Sequence, residues 1–157
     1  MQKIAPFLWF DGQAEEAVEF YTSVFESSRV LEVMRYGDAG PGPMGTVMSV
    51  TFELEGQEFI ALNGGPMFEF SPAISFFVKC QSQTEIDALW ARLSQGGEPQ
   101  PCGWLKDRCG VSWQIVPTLL GKLLQDEDPE RSARVMQAML QMGKLDIERL
   151  RAAHERP

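Results

Sequence analysis

The sequence predicts an α+β fold: two tandem β-α-β-β-β modules forming a curved mixed sheet around a cleft, with helices added at the C-terminus. Three observations predict it. A short apolar run near the N-terminus is followed by an amphipathic helix pattern; the same order starts again in the second half; and each helix pattern is followed by strand-like runs and turn residues rather than by further helices.

Lys3 to Phe10 is apolar and aromatic, too short for a core helix, and stops at the turn pair Asp11-Gly12, which predicts a buried strand. From Gln13 the period changes: Ala14, Ala17, Val18, Tyr21, Val24 and Phe25 form a continuous stripe on one helical face, ending near Glu26 to Ser28. Arg29 to Tyr36, Thr46 to Glu55 and Glu58 to Asn63 are β-branched, aromatic or alternating, and predict three strands. The loop Gly37 to Gly45 and the turn Glu55-Gly56-Gln57 separate them, and Asn63-Gly64-Gly65-Pro66 stops the run.

Ala73 to Cys80 opens the second module. Ser82-Gln83-Thr84-Glu85 is a capping box ahead of a stripe of Ile86, Leu89, Trp90 and Leu93, and Gly96-Gly97 closes that helix. Glu16, Phe20 and Tyr21 of the first helix are echoed at the same spacing by Glu85, Leu89 and Trp90. Pro99 to Leu105, a short stretch at Lys106 to Cys109, and Val111 to Val116 supply the remaining strands. Beyond Pro117 the pattern is helical. Asp128-Pro129-Glu130 starts a helix with Val135, Ala138, Met139 and Met142 on one face, and Gly143 ends it. Asp146 to Glu155 follows as a charged surface helix with Ile147 and Leu150 as its anchors. Residues 1–157 therefore read as a single domain, with modules at 1–66 and 71–117 and a helical extension at 118–157.

Composition narrows the function. The chain is 44% hydrophobic with ten Phe and four Trp, enough for a packed core, and its formal charge of -8 argues against nucleic acid as a partner. Three cysteines cannot all pair within the chain and read as reduced thiols. The N-terminus lacks the apolar core of a signal peptide, and no run approaches a membrane span, so a cytoplasmic protein is expected.

Four stretches carry a family resemblance: Ala17-Val18-Glu19-Phe20-Tyr21, Ala61-Leu62-Asn63-Gly64-Gly65-Pro66, Cys102-Gly103-Trp104-Leu105-Lys106-Asp107, and Cys109-Gly110-Val111-Ser112-Trp113-Gln114-Ile115-Val116-Pro117. They resemble the PhnB-like branch of the vicinal oxygen chelate superfamily, which includes glyoxalase I, extradiol dioxygenases and the bleomycin- and fosfomycin-resistance proteins. The branch is often labelled 3-demethylubiquinone methyltransferase-like. The resemblance extends over nearly the whole chain, helical tail included, and Cys109 departs from it where the branch carries an aromatic residue.

The resemblance implies a cleft and, in metal-dependent members, ligands at inward strand positions. Carried over, those positions fall on Pro6, on Ala61 or Asn63, on Ala73 or Ser75, and on Gln114; only Gln114 is a residue type such sites use. The metal site is expected to be lost, and no cofactor is expected. A methyl-donor Rossmann domain would need a glycine-rich first turn between alternating strands and helices, whereas Gly64-Gly65 follows a run of strands.

Strand parity assigns Leu8, Phe10, Asn63, Ser75, Phe77, Trp104, Ser112 and Gln114 to the cleft, with Cys102 beside Trp104: an apolar lining with a few amides and hydroxyls, suited to a small organic ligand. Aromatics at this spacing also commonly fill cores. Lys106 and Arg108 could lower the pKa of a thiol at Cys102 or Cys109, although a structural cysteine is the plainer reading. The sole histidine, His154, falls in the charged tail, where a solvated role is expected. No catalytic residue is assigned. A metal-independent small-molecule binding protein is the leading expectation, and an acidic surface would favour cationic ligands. An enzyme using Gln114, Asn63 or Cys102 on a small organic substrate, glyoxalase-, dioxygenase- or methyltransferase-like, is the alternative. The family and the apolar face of Val135 to Met142 together predict a homodimer.

Overall fold

The computed structural model describes residues 2–156 and divides the chain into two compact units, one up to Phe70 and one from Ser71. The first unit contains β1 (Phe7–Phe10), α1 (Ala14–Val24), β2 (Ser28–Arg35), β3 (Val47–Leu54) and β4 (Gln57–Asn63). Its sheet runs β1-β4-β3-β2, with β1 parallel to β4 and the other pairs antiparallel. β1 is shorter than the apolar run that predicts it, because Pro6 accepts from the Ile60 amide at 2.9 Å but has no N–H to return.

Helix α1 covers one face of this sheet through Ala14, Ala17, Val18, Tyr21 and Val24. Tyr21 stacks on Phe52 and Phe52 on Phe59, so the aromatic stripe of the helix continues into the strands. β2 is an edge strand, as is β1 on the other side. The ladder of β2 to β3 shifts between Val30 and Glu32, which leaves Leu31 as the extra residue of a bulge. After β2 the loop 37–45 folds against the ring of Tyr36. A Cβ at Gly42 would come within 2.4 Å of that ring, so glycine is required for the approach.

The second unit contains β5 (Ser75–Cys80), α2 (Gln83–Ser94), β6 (Glu98–Pro99), β7 (Trp104–Lys106) and β8 (Ser112–Pro117). Its sheet order, β5-β8-β7-β6 with β5 parallel to β8, repeats the topology of the first unit. Half of the capping box forms: Ser82 Oγ accepts from the Glu85 amide at 3.2 Å, while the Glu85 carboxylate accepts from the Gln81 amide at 3.1 Å, one residue ahead of the cap. The strand expected over Pro99 to Leu105 is broken, because a 3-10 turn at Pro101–Gly103 separates β6 from β7. Pro101 has no amide to offer a ladder, while Cys102 and Gly103 adopt φ of 63° and 83°. The stretch 107–110 is a turn rather than a strand.

Three helices follow, α3 (Thr118–Leu124), α4 (Pro129–Leu140) and α5 (Ile147–Glu155). The Asp128 and Asp146 side chains cap α4 and α5 at the Glu130 and Arg149 amides. Val116, Leu120, Val135, Met142, Leu145 and Leu150 form one buried cluster, which fastens the helical extension to the end of β8. Most of the α4 stripe therefore lies inside this unit, and α5 is anchored by a fully buried Leu150 rather than resting on a surface. Among the described residues, no helix is long and apolar enough to cross a membrane.

Candidate functional site

In the second unit, strand register places Ser112 between Ser75 and Lys106, and Gln114 between Phe77 and Trp104. Alternation puts these six side chains on the face turned away from α2, while Leu105, Trp113 and Ile115 fill the buried face. Gln114 Nε2 donates to Ser75 Oγ at 3.0 Å. Phe77 is 52% exposed, and Trp104 is partly exposed across Gln114 from it. Ser112 Oγ is buried and has no hydrogen-bond partner among the described residues. Five residues assigned to a cleft from sequence thus share one face, where the Gln114 amide, bonded to the Ser75 hydroxyl, lies in register between Phe77 and Trp104. Cys102 sits apart, in the 3-10 turn, where its amide donates to Met142 O.

The first unit differs from the expectation. Leu8 and Phe10 lie on the α1 side of their sheet, 7% and 2% exposed, so they belong to the core under that helix. The open side of β1 carries Phe7 and Trp9 instead. Asn63 also points to the α1 side, where it supplies the cap that Gln13 does not. Its Oδ1 accepts from the Ala14 amide at 2.9 Å, and its Nδ2 donates to Glu15 Oε1 at 2.7 Å and to Val47 O at 3.0 Å. The buried Tyr36 hydroxyl donates to Asn63 O at 2.6 Å. Around this hub lies a cavity of about 390 Å³, bounded by the start of α1, the end of β4 and the loop 37–45. Gly64 and Gly65 close it against Trp9: the indole donates to Gly65 O at 2.9 Å, and a Cβ at Gly64 would meet the ring at 2.4 Å. Asp11, Glu15, Tyr36 and Thr46 line this cavity without having been singled out from sequence. The signals that could have found them were the Asp11-Gly12 turn and the glycine-rich loop.

The positions that the resemblance implies for metal ligands can now be tested. Pro6, Ala61 and Ala73 have no donor atom, the Asn63 amide is engaged at α1, and Ser75 and Gln114 are bonded to each other. An amide and a hydroxyl do not make a coordination set for a divalent cation. Among the described residues, no three His, Cys, Asp or Glu side chains group to hold a metal.

The thiols are all free. Burial pushes Cys80 up to about 12, with the Glu85 carboxylate adding to the effect, so it is a structural thiol. Cys102 and Cys109 sit at opposite ends of β7. His154 is less solvated than the sequence suggests, pairing with Asp126 at 2.7 Å in the helical extension.

The family model described as 3-demethylubiquinone-9 3-methyltransferase matches residues 2–116. The match stops before the helical extension, so the resemblance does not run through the tail as expected. Among solved structures, a PhnB protein from Bacillus cereus, described as a 3-demethylubiquinone-9 3-methyltransferase, is 42% identical, with 74% of this chain and 100% of that one covered at a TM-score of 0.68. A protein from Pseudomonas aeruginosa is 22% identical over 74% of this chain and 98% of its own, at a TM-score of 0.62. A fosfomycin resistance protein from Listeria monocytogenes is 14% identical over 72% and 89%, at a TM-score of 0.51. These last two bear on the fold alone. No curated protein matches. The chain belongs to the 3-demethylubiquinone-9 3-methyltransferase family, in which it stands with the PhnB protein of Bacillus cereus.

Proposed function

We propose that the protein is a metal-independent small-molecule binding protein, acting as a cytoplasmic homodimer, whose ligand contacts the sheet face bearing Ser75, Phe77, Trp104, Ser112 and Gln114. The observation that carries this reading is the Gln114–Ser75 hydrogen bond, with Gln114 in register between the half-exposed Phe77 and the partly exposed Trp104. Two aromatic surfaces supply apolar contact, and the amide and hydroxyl retain acceptor capacity that can orient a polar group. The superfamily fold favours small-molecule binding over a structural role. An enzyme is the weaker reading, since Gln114 and Asn63 carry amides that do not exchange protons near neutral pH, and the sole histidine is paired within the tail.

Metal analysis of protein purified without a histidine tag, together with mass spectrometry of any small molecule released on denaturation, tests the proposal. The expected outcome is a metal content far below one per chain, with a released organic ligand that Gln114→Ala retains about tenfold less well, as the loss of an orienting hydrogen bond predicts. Stoichiometric metal that disappears in Gln114→Ala would overturn the reading and restore a metal-dependent enzyme.

A further inference from the structure

We propose that the cavity around Asn63 is a second binding site and takes an organic cation, a primary ammonium on a small apolar body. The cavity of about 390 Å³ lies wholly within the first unit, and its volume is in the range that small ligands fill.

The donor and acceptor balance of its wall selects the ligand. Every side-chain donor on the wall is already engaged. Asn63 Nδ2 serves Glu15 Oε1 and Val47 O, the Tyr36 hydroxyl serves Asn63 O, and the Thr46 hydroxyl serves Pro43 O at 2.6 Å. The side-chain groups left over are acceptors: the second carboxylate oxygen of Glu15, the Asp11 carboxylate, which makes no hydrogen bond or ion pair among the described residues, and the lone pairs of Tyr36 Oη. Among the described residues, no Lys or Arg lines the cavity. An ammonium matches these acceptors, because it brings three donors and the opposite charge. Pro41, Pro43 and Val47 provide the apolar wall for the body of the ligand.

The N-terminus of α1 is the competing feature, because the positive end of a helix attracts anions. That demand is met in part. Asn63 Oδ1 caps the Ala14 amide, and Glu15 and Glu16 bring two carboxylates to the first turn. The formal charge of -8 on the chain acts with the same sign at longer range.

Titration of the full chain with phenethylamine, followed by the amide NMR shifts of Gly12, Glu15, Asn63 and Gly64, tests the assignment. The neutral probe is 2-phenylethanol, which has nearly the same shape, and inorganic phosphate is the anionic one. Saturable shifts with phenethylamine are expected, with affinity falling about tenfold in Glu15→Gln and in Asp11→Asn, as for loss of a charged hydrogen bond. Affinity should also weaken as salt rises, while the alcohol leaves these amides unmoved. Glu15→Gln keeps an acceptor for Asn63 Nδ2, so an unchanged melting curve certifies the fold. Equal responses to amine and alcohol, saturable phosphate shifts at the same amides, absence of any amine response, or an amine affinity indifferent to both substitutions would each overturn the proposal.

Discussion

Asp107 is 2% exposed, yet its carboxylate is fully used. Oδ1 accepts from the Cys109 and Val111 amides at 2.8 and 3.1 Å, and Oδ2 accepts from Trp113 Nε1 at 2.8 Å. The carboxylate thus clamps the β7–β8 turn and fixes the indole that sits beside Gln114 in sequence. Asp107→Asn can keep the contact to the amides only by turning its NH2 toward the Trp113 N–H, setting donor against donor. We expect it to cost about 1–3 kcal/mol in urea unfolding, the penalty for a buried polar group left without its partner. An unchanged midpoint would mean that the turn holds without the clamp. At this scale the sequence was legible only in part. Parity brought Ser75, Ser112 and Gln114 to one face because polar and apolar residues alternate along β5 and β8. It failed at Leu8 and Phe10, because Phe7 and Trp9 between them are equally apolar and the alternation has no polar member to mark a face. Asn63 was unreadable in a different way, since its partner Ala14 is 49 residues away and nothing local shows the cap.

The helical extension shows what amphipathic pattern can and cannot say about a partner. Periodicity located α4 and α5 and their caps, and it measured an apolar face on α4, but it could not tell which surface meets that face. The structure gives most of the face to the chain's own second unit, because β8 runs straight into α3 and carries the later helices back over Val116. Leu150→Ala, at a fully buried position in that cluster, should cost about 2–5 kcal/mol in urea unfolding. Gln137→Ala, on the exposed side of α4, should stay within about 0.5 kcal/mol. Similar losses from the two would refute the packing. A pH effect belongs to the same element. The Asp128 amide and His154 hold the Asp126 carboxyl below its ordinary value of 3.8. A carboxylate depressed in the folded state contributes stability that is present above the ordinary value and is lost as pH falls through the folded one. Unfolding curves recorded downward from about pH 5 should therefore show a shallower loss in Asp126→Asn than in the unaltered chain. Identical slopes would show that the Asp126 contacts add nothing to folding.

Across the whole molecule, repetition made the fold legible. The two helices start at Ala14 and Gln83, and each precedes three strands that return the chain to the partner of its first strand, so the strand orders of the two sheets match. β6 and β7, cut to two and three residues on either side of the turn at Pro101–Gly103, fall short of their eight-residue counterparts β2 and β3. What repetition does not specify is association, and there the exposed apolar side chains are informative. Val30, Val33 and Met34 on the edge strand β2 are each about half exposed, at 50%, 47% and 47%. Met136 and Leu140, one turn apart on the outer side of α4, are 40% and 54% exposed. Long edge strands with exposed apolar side chains invite pairing, and natural chains usually cover them or place charges among them. Sedimentation at micromolar concentration should therefore give twice the 17.6 kDa chain mass. If the tail contributes to that contact, replacing both Met136 and Leu140 by Lys should shift the protein to the chain mass without changing its circular dichroism, because neither residue belongs to the buried cluster. A monomer in the unaltered chain would remove the dimer. A dimer indifferent to the paired substitution would remove the tail from the interface and leave the β2 edge as the surface to change next.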